Sequence, residues 1–153
     1  MAAPAQIRPA TAEDAALVAA LINQAFSVEK FFIEGDRTSA EEVHTMMARG
    51  EFLVLGDFAA VVYVELRGER GYFGMLSVDP ARRKEGLGRR LVEIAEQRCR
   101  EAGCRIMELQ TVNLRLELAP YYRKLGYVES GTTPFLSDRL RQPAHFVKME
   151  KPL

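Results

Sequence analysis

Apolar residues recur along this chain at two spacings, and the switch between them divides it into elements. Val18, Leu21, Ile22, Ala25 and Phe26 fall on one face at a helical repeat. Thr11 offers an N-cap ahead of them, with Glu13 and Asp14 in the first turn. Before that helix, Ile7 to Ala10 reads as a short strand that Pro9 confines to an edge or an early ending. Ser39-Ala40-Glu41-Glu42 is a capping box that opens a second helix, striped by Val43, Met46 and Met47 and closed by Gly50.

The pattern then shortens. Phe52 to Leu55 and Ala59 to Leu66 read as strands across a turn at Gly56-Asp57, and Gly68 to Gly71 is a second turn leading into Tyr72 to Val78. Such short connections predict an antiparallel meander. Helical spacing returns with Leu87, Leu91, Ile94, Ala95 and Ala102 and stops at Gly103. Ile106 to Val112 is the next strand. A helix-length crossover between it and Tyr72–Val78 predicts that those two strands run parallel. A short helix from Ala119 to Leu125 ends at Gly126, with Pro120 in its first turn. Tyr127 to Ser130 and His145 to Glu150 complete the series, joined by a loop of about a dozen residues. The expected order, β-α-α-β-β-β-α-β-α-β-β, makes one domain over residues 1–153, a mixed sheet with helices on its faces.

Composition narrows the function. The chain has 153 residues, 48% hydrophobic and 27% charged, as an ordinary globular domain does. Its formal net charge is zero, so its overall field argues for neither nucleic acid nor an anionic membrane as a partner. Met1 to Gln6 shows no basic leader or long apolar run, and no stretch approaches the roughly 20 apolar residues of a membrane span. A cytoplasmic location is expected. Cys99 and Cys104 form no C-x-x-C motif, and His44 and His145 match no metal spacing, so no metal is expected.

The most informative stretch runs from Val78 to Arg90. A strand ends, a basic glycine-containing turn follows, and a helix begins. Backbone N–H groups at a helix start, reinforced by the helix dipole, make an anion site. Gly86 and Gly88 let a phosphate approach the backbone, while Arg82, Arg83, Lys84, Arg89 and Arg90 supply positive charge. A P-loop pattern is absent. A dinucleotide fingerprint fails because Leu91 occupies the third glycine position, and Glu108 falls mid-strand instead of at a strand end.

At this point the chain resembles the GNAT superfamily of acetyl-CoA-dependent N-acetyltransferases. That family carries Arg or Gln, two variable residues, Gly, one variable residue, then Gly or Ala, between its fourth strand and third helix. Arg83-Lys84-Glu85-Gly86-Leu87-Gly88 matches, preceded by a similar strand end at Leu76 to Pro80. Tyr122-Arg123-Lys124-Leu125-Gly126-Tyr127 is similar to the family's ending of the fourth helix. The resemblance spans nearly the whole chain. It implies an α/β (α+β) fold with a mostly antiparallel sheet, a parallel pair of fourth and fifth strands, and about four flanking helices. It also implies acetyl-CoA as co-substrate, with its diphosphate on the amides from Arg83 to Gly88 and Arg89 beside them.

Further roles follow from the same resemblance. Leu76 and Val78 would pair with pantetheine, and an N–H near Leu76 would stabilise the oxyanion. Tyr122 would be the general acid that protonates the leaving thiolate, and would touch the cofactor sulfur. Asn113 would contact pantetheine or the acetyl group. The base is open: Glu65 and Glu108 are candidates, since Tyr72–Val78 carries no carboxylate, and a water chain could replace both. Neither cysteine has a nucleophile's setting, which favours direct attack on the thioester. The segment Phe26 to Arg37 is the expected acceptor wall, with Phe26, Phe31 and Phe32 as apolar contacts and Glu29, Glu34 and Asp36 as attractors of an amine. The acceptor stays open between a small amine or amino acid and a protein N-terminus or lysine. Homodimers are frequent in such families. The rival readings are a non-catalytic acyl-CoA binder or sensor, and a nucleotide-binding module.

Overall fold

The computed structural model describes residues 6–153. Among them are seven strands, β1 (Ile7–Pro9), β2 (Glu51–Leu55), β3 (Ala60–Arg67), β4 (Arg70–Val78), β5 (Ile106–Val112), β6 (Val128–Pro134) and β7 (His145–Pro152). Four α-helices accompany them: α1 (Ala15–Ala25), α2 (Ala40–Met47), α3 (Leu87–Glu101) and α4 (Leu118–Lys124). The order matches the one the spacing predicts. Three 3₁₀ turns, Ala12–Asp14, Phe26–Phe31 and Pro80–Glu85, lie where that reading placed caps and loops.

The strands form one sheet in the order β1-β2-β3-β4-β5-β7-β6. Neighbours are antiparallel except β4 and β5. The first contact of α1 and α2 with the sheet is through Val18, Ile22 and Val43, which pack on Phe52, Val54, Val61 and Tyr63. On the opposite face Leu91, Val92, Ala95 and Cys99 of α3 and Tyr122 of α4 pack on Leu53, Val62, Phe73 and Met107. Alternate residues of β2 serve the two faces, which is why the strand is apolar at nearly every position.

The cap of the first helical segment has a measurable consequence. The Thr11 N–H donates to Asp14 Oδ2 at 2.7 Å, and Arg8 bonds the same carboxylate at 2.8 and 3.2 Å. The Arg8 bonds, then the Thr11 amide, hold the Asp14 carboxyl down at about 2. A depressed carboxylate stabilises the fold above its ordinary pKa and loses that contribution as pH falls through the depressed value. Asp14→Asn is therefore expected to lower the urea midpoint at pH 7 by the equivalent of about 1 kcal/mol. The variant and parent midpoints should converge as pH approaches 2.

Two local features of β4 shape the site. Its pairing with β5 covers only Arg70 with Ile106, Gly71 with Met107 and Tyr72 with Glu108, then stops. Beyond that point the two strands continue without pairing to each other, β4 to Val78 beside β3 and β5 to Val112 beside β7. A register shift against β3 between Val61 and Tyr63 marks a bulge on β4, where Met75 takes φ 55°. Positive φ at a residue with a Cβ is strained, and bulges re-aim a strand's polar groups. The Ser77 hydroxyl donates to the Met75 carbonyl at 3.0 Å and braces the bend.

Candidate active site

The mouth between β4 and β5 opens into a cleft of about 390 Å³. Gly74, Met75 and Leu76 line one wall, and Gln110, Thr111 and Val112 the other. Tyr122 of α4 closes the inner end. Its ring packs edge-on against Phe73 and Tyr127 at 5.9 and 6.1 Å and leaves it only 7% exposed. Burial pushes its phenol well above the ordinary value. The hydroxyls of Tyr63 and Tyr127 are tied to Glu65 and Glu96. No carboxylate holds that of Tyr122 among the described residues, and the side chain is part of the cleft lining.

At the outer end of β4 stands the glycine-containing basic turn. The Asp79 carboxylate accepts the Ala81 N–H at 3.0 Å and starts the Pro80–Glu85 turn. Gly86 then takes φ +72°, a left-handed conformation that glycine adopts without strain. It is the N-cap of α3 and has no side chain with which to cap it. The first amides of a fifteen-residue helix are thus left open to an anion. Leu87 is buried and anchors the helix, while Arg83, Lys84 and Arg89 are exposed around it. Glu85 is paired with Arg82 at 2.8 Å and leaves the other basic groups of the loop unopposed by it. A Cβ built at Gly88 would lie 3.6 Å from the Tyr121 hydroxyl and from Val78. Tyr121 therefore stands between the loop and the cleft. Motif reading gave it no role, because only the contact of α4 with the start of α3 reveals one.

The remaining residues anticipated from sequence fall in different places. Leu76 lines the cleft, and Val78 stands beside Gly88 at the loop end. Asn113 pins β7 to β5: its N–H donates to the His145 carbonyl at 2.9 Å, and its Oδ1 accepts the His145 N–H at 2.8 Å. Glu65 lies outside the cleft lining, bonded by Tyr63 at 2.6 Å and by Arg67. Glu108 lines a separate shallow hollow and pairs with Arg70 at 3.2 Å. Of the acceptor-wall residues, Phe26 and Glu29 reach the cleft. Phe32 is wholly buried in the core, Phe31 is exposed, and Glu34 and Asp36 lie outside the lining.

Glu29 is the carboxylate in the cleft. It is 7% exposed on the Phe26–Phe31 turn and is bonded by Arg115 Nη1 at 2.9 Å. Burial raises its pKa above the ordinary 4.5, and the charge of Arg115 offsets this only in part. Arg115 precedes α4, 86 residues away, so nothing local in sequence marks the pair. The roof above them is two loops stitched together. Ile33 bridges Leu140, the Glu34 N–H donates to the Arg139 carbonyl at 2.9 Å, and the Arg141 N–H to the Phe32 carbonyl at 2.7 Å.

A family model described as an acetyltransferase (GNAT) domain matches residues 12–153. The chain belongs to the GNAT acetyltransferase family. Solved structures of other family-like proteins share this GNAT fold at low identity. The smu.2055 protein of Streptococcus mutans UA159 is 19% identical with a TM-score of 0.78, covering 96% of this chain and 98% of its own. The ribosomal-protein-S18-alanine N-acetyltransferase of Escherichia coli is 18% identical with a TM-score of 0.77, covering 97% and 93%. The yncA protein of Salmonella typhimurium, solved with acetyl-CoA, is 19% identical with a TM-score of 0.72, covering 99% and 95%. No curated protein sequence matches significantly. In this GNAT acetyltransferase the glycine-containing motif precedes α3 and the tyrosine motif lies on α4, where Tyr122 lines the cleft.

Proposed function

We propose that this acetyltransferase moves the acetyl group of acetyl-CoA to a primary amine by direct attack on the thioester. The observation that carries this reading is the parting of β4 from β5 after Tyr72 and Glu108, with open amides at one end and Tyr122 at the other. Unpaired backbone beyond the parting can bond pantetheine as a further strand would. The diphosphate goes to the amides at Gly86, Leu87 and Gly88, with Arg83, Lys84 and Arg89 around it. The bulge at Met75 frees strand N–H groups beside Leu76, where an oxyanion would form.

Transfer forms a nitrogen–carbon bond and breaks the carbon–sulfur bond. The amine gives up a proton, and the sulfur takes one from Tyr122. We assign proton acceptance to Glu29, directly or through water, in place of Glu65 and Glu108, because it is the carboxylate that lines the cleft. Glu29 accepts a proton only when ionised, so the rate should rise with pH through a carboxyl pKa above the ordinary value. Glu29→Gln is expected to lower kcat/KM by about tenfold or more and to abolish that acid limb. Acetyl-CoA affinity should not change, and Glu65→Gln should leave the pH profile as it was.

Binding is tested by thermal shift with acetyl-CoA, CoA, NAD and ATP. Acetyl-CoA and CoA at 100 times their Kd should raise Tm by roughly 5–10 °C, and NAD and ATP should do nothing comparable. Acetyl-CoA binding without thiol release for any amine would identify a binder or sensor instead of an enzyme.

A further inference from the structure

The acceptor end of the cleft has a charge that transfer itself does not require. Among the described residues, its lining includes three guanidinium groups, Arg37, Arg115 and Arg139, and one carboxylate, Glu29. Arg115 is matched, by Glu29 at 2.9 Å and Glu117 at 3.3 Å. Arg37 is matched more loosely: its Nη1 pairs with Glu42 at 4.0 Å, beyond hydrogen-bond length, and its charge also acts on Glu29. Arg139 uses Nη1 on the Glu34 and Asp36 carbonyls, each at 3.2 Å, and has no carboxylate partner among the described residues.

Both groups are nevertheless held in place. Arg37 lies over the Phe26 ring at 5.6 Å, and Arg139 is fixed by its two carbonyls and by the stitched loops that carry it. A guanidinium has five donors, so each retains several for a ligand. Pantetheine is uncharged there, and the diphosphate binds at the far end of β4. The weakly partnered positive charge of Arg37 and Arg139 therefore faces the acceptor. It repels a purely cationic amine and attracts one that also bears an anion.

We propose that the acceptor is an amine that carries its own carboxylate, an amino acid in the broad sense, gripped by Arg37 and Arg139 with its amine presented to Glu29. This rests on the transferase reading above. Phe135 and Phe146, stacked at 4.4 Å, give the rest of such a molecule an apolar wall.

The test measures thiol release from acetyl-CoA with L-amino acids, each set against its decarboxylated amine and its carboxamide. A peptide amide with a free N-terminal alanine and one with a lysine side chain complete the panel. The best amino acid is expected to exceed both of its uncharged-tail counterparts by about 100-fold in kcat/KM, as loss of a charge-assisted grip implies. Arg37→Gln and Arg139→Gln should each raise KM for that amino acid about tenfold or more, with kcat within about twofold and acetyl-CoA affinity unchanged. Equal rates for an amino acid and its decarboxylated amine, or preference for either peptide, would overturn this inference alone. Absence of thiol release with every acceptor in the panel would overturn the transferase reading and take this inference with it. The substrate comparison decides the matter even if a variant fails to fold.

Discussion

Tyr122→Phe is expected to bind acetyl-CoA with unchanged affinity and to lose about 10²–10⁴-fold in kcat. The substitution removes one oxygen and little else. The ring keeps its edge contacts with Phe73, Tyr121 and Tyr127, and no carboxylate is left without its donor. Stability should therefore hold, which separates chemistry from folding. A phenol with a raised pKa looks a poor acid for a thiolate, but burial acts on both partners. The desolvation that disfavours a phenolate also disfavours the thiolate formed beside it, so the proton moves between groups of comparable appetite. The raised value also keeps Tyr122 protonated across the neutral range. Single-turnover thiol release checks the prediction, and undiminished turnover would strip Tyr122 of its role.

The second large effect is a split in sign. Gly88→Asp should make the free protein slightly more stable and weaken acetyl-CoA binding by at least about 100-fold. Gly88 is the second residue of α3, and a side chain there meets nothing closer than 3.6 Å at its Cβ. Replacing glycine within a helix and placing an acid in its first turn each contribute a few tenths to about 1 kcal/mol. The same carboxylate would stand beside the amides to which the diphosphate is assigned above. Like charges a few ångströms apart near a protein surface repel by about 4 kcal/mol. Chemical denaturation and a titration with acetyl-CoA read the two halves separately. A stabilised variant with undiminished affinity would remove the loop from the phosphate site.

Much of this architecture is legible in the residues because each element declares itself locally. The stripe from Val18 to Phe26, the glycine closures at Gly50, Gly103 and Gly126, and the crossover before Ile106 suffice for the order of elements and the parallel pair. The phosphate loop and Tyr122 are legible for the same reason, as contiguous motifs. The acceptor side is different. Glu29 meets Arg115 across 86 positions, and Arg139 meets Glu34 and Asp36 across more than a hundred. Such pairs have no periodicity to announce them. Glu65 and Glu108 look like bases in sequence because strand position says nothing about partners. Tyr63, Arg67 and Arg70 turn out to occupy them. Asn113 reads as a ligand contact, and its bonds to His145 at a strand end are a second role that sequence does not show.

The stitching of residues 32–34 to residues 139–141 has an evolutionary corollary. The co-substrate recognition proposed above is written in one contiguous stretch, from the strand bulge through the start of α3. The acceptor recognition proposed above is written in two loops remote in sequence and bonded to each other. Those loops can drift together, altering which molecules are chosen, while the machinery for handling the thioester is inherited intact.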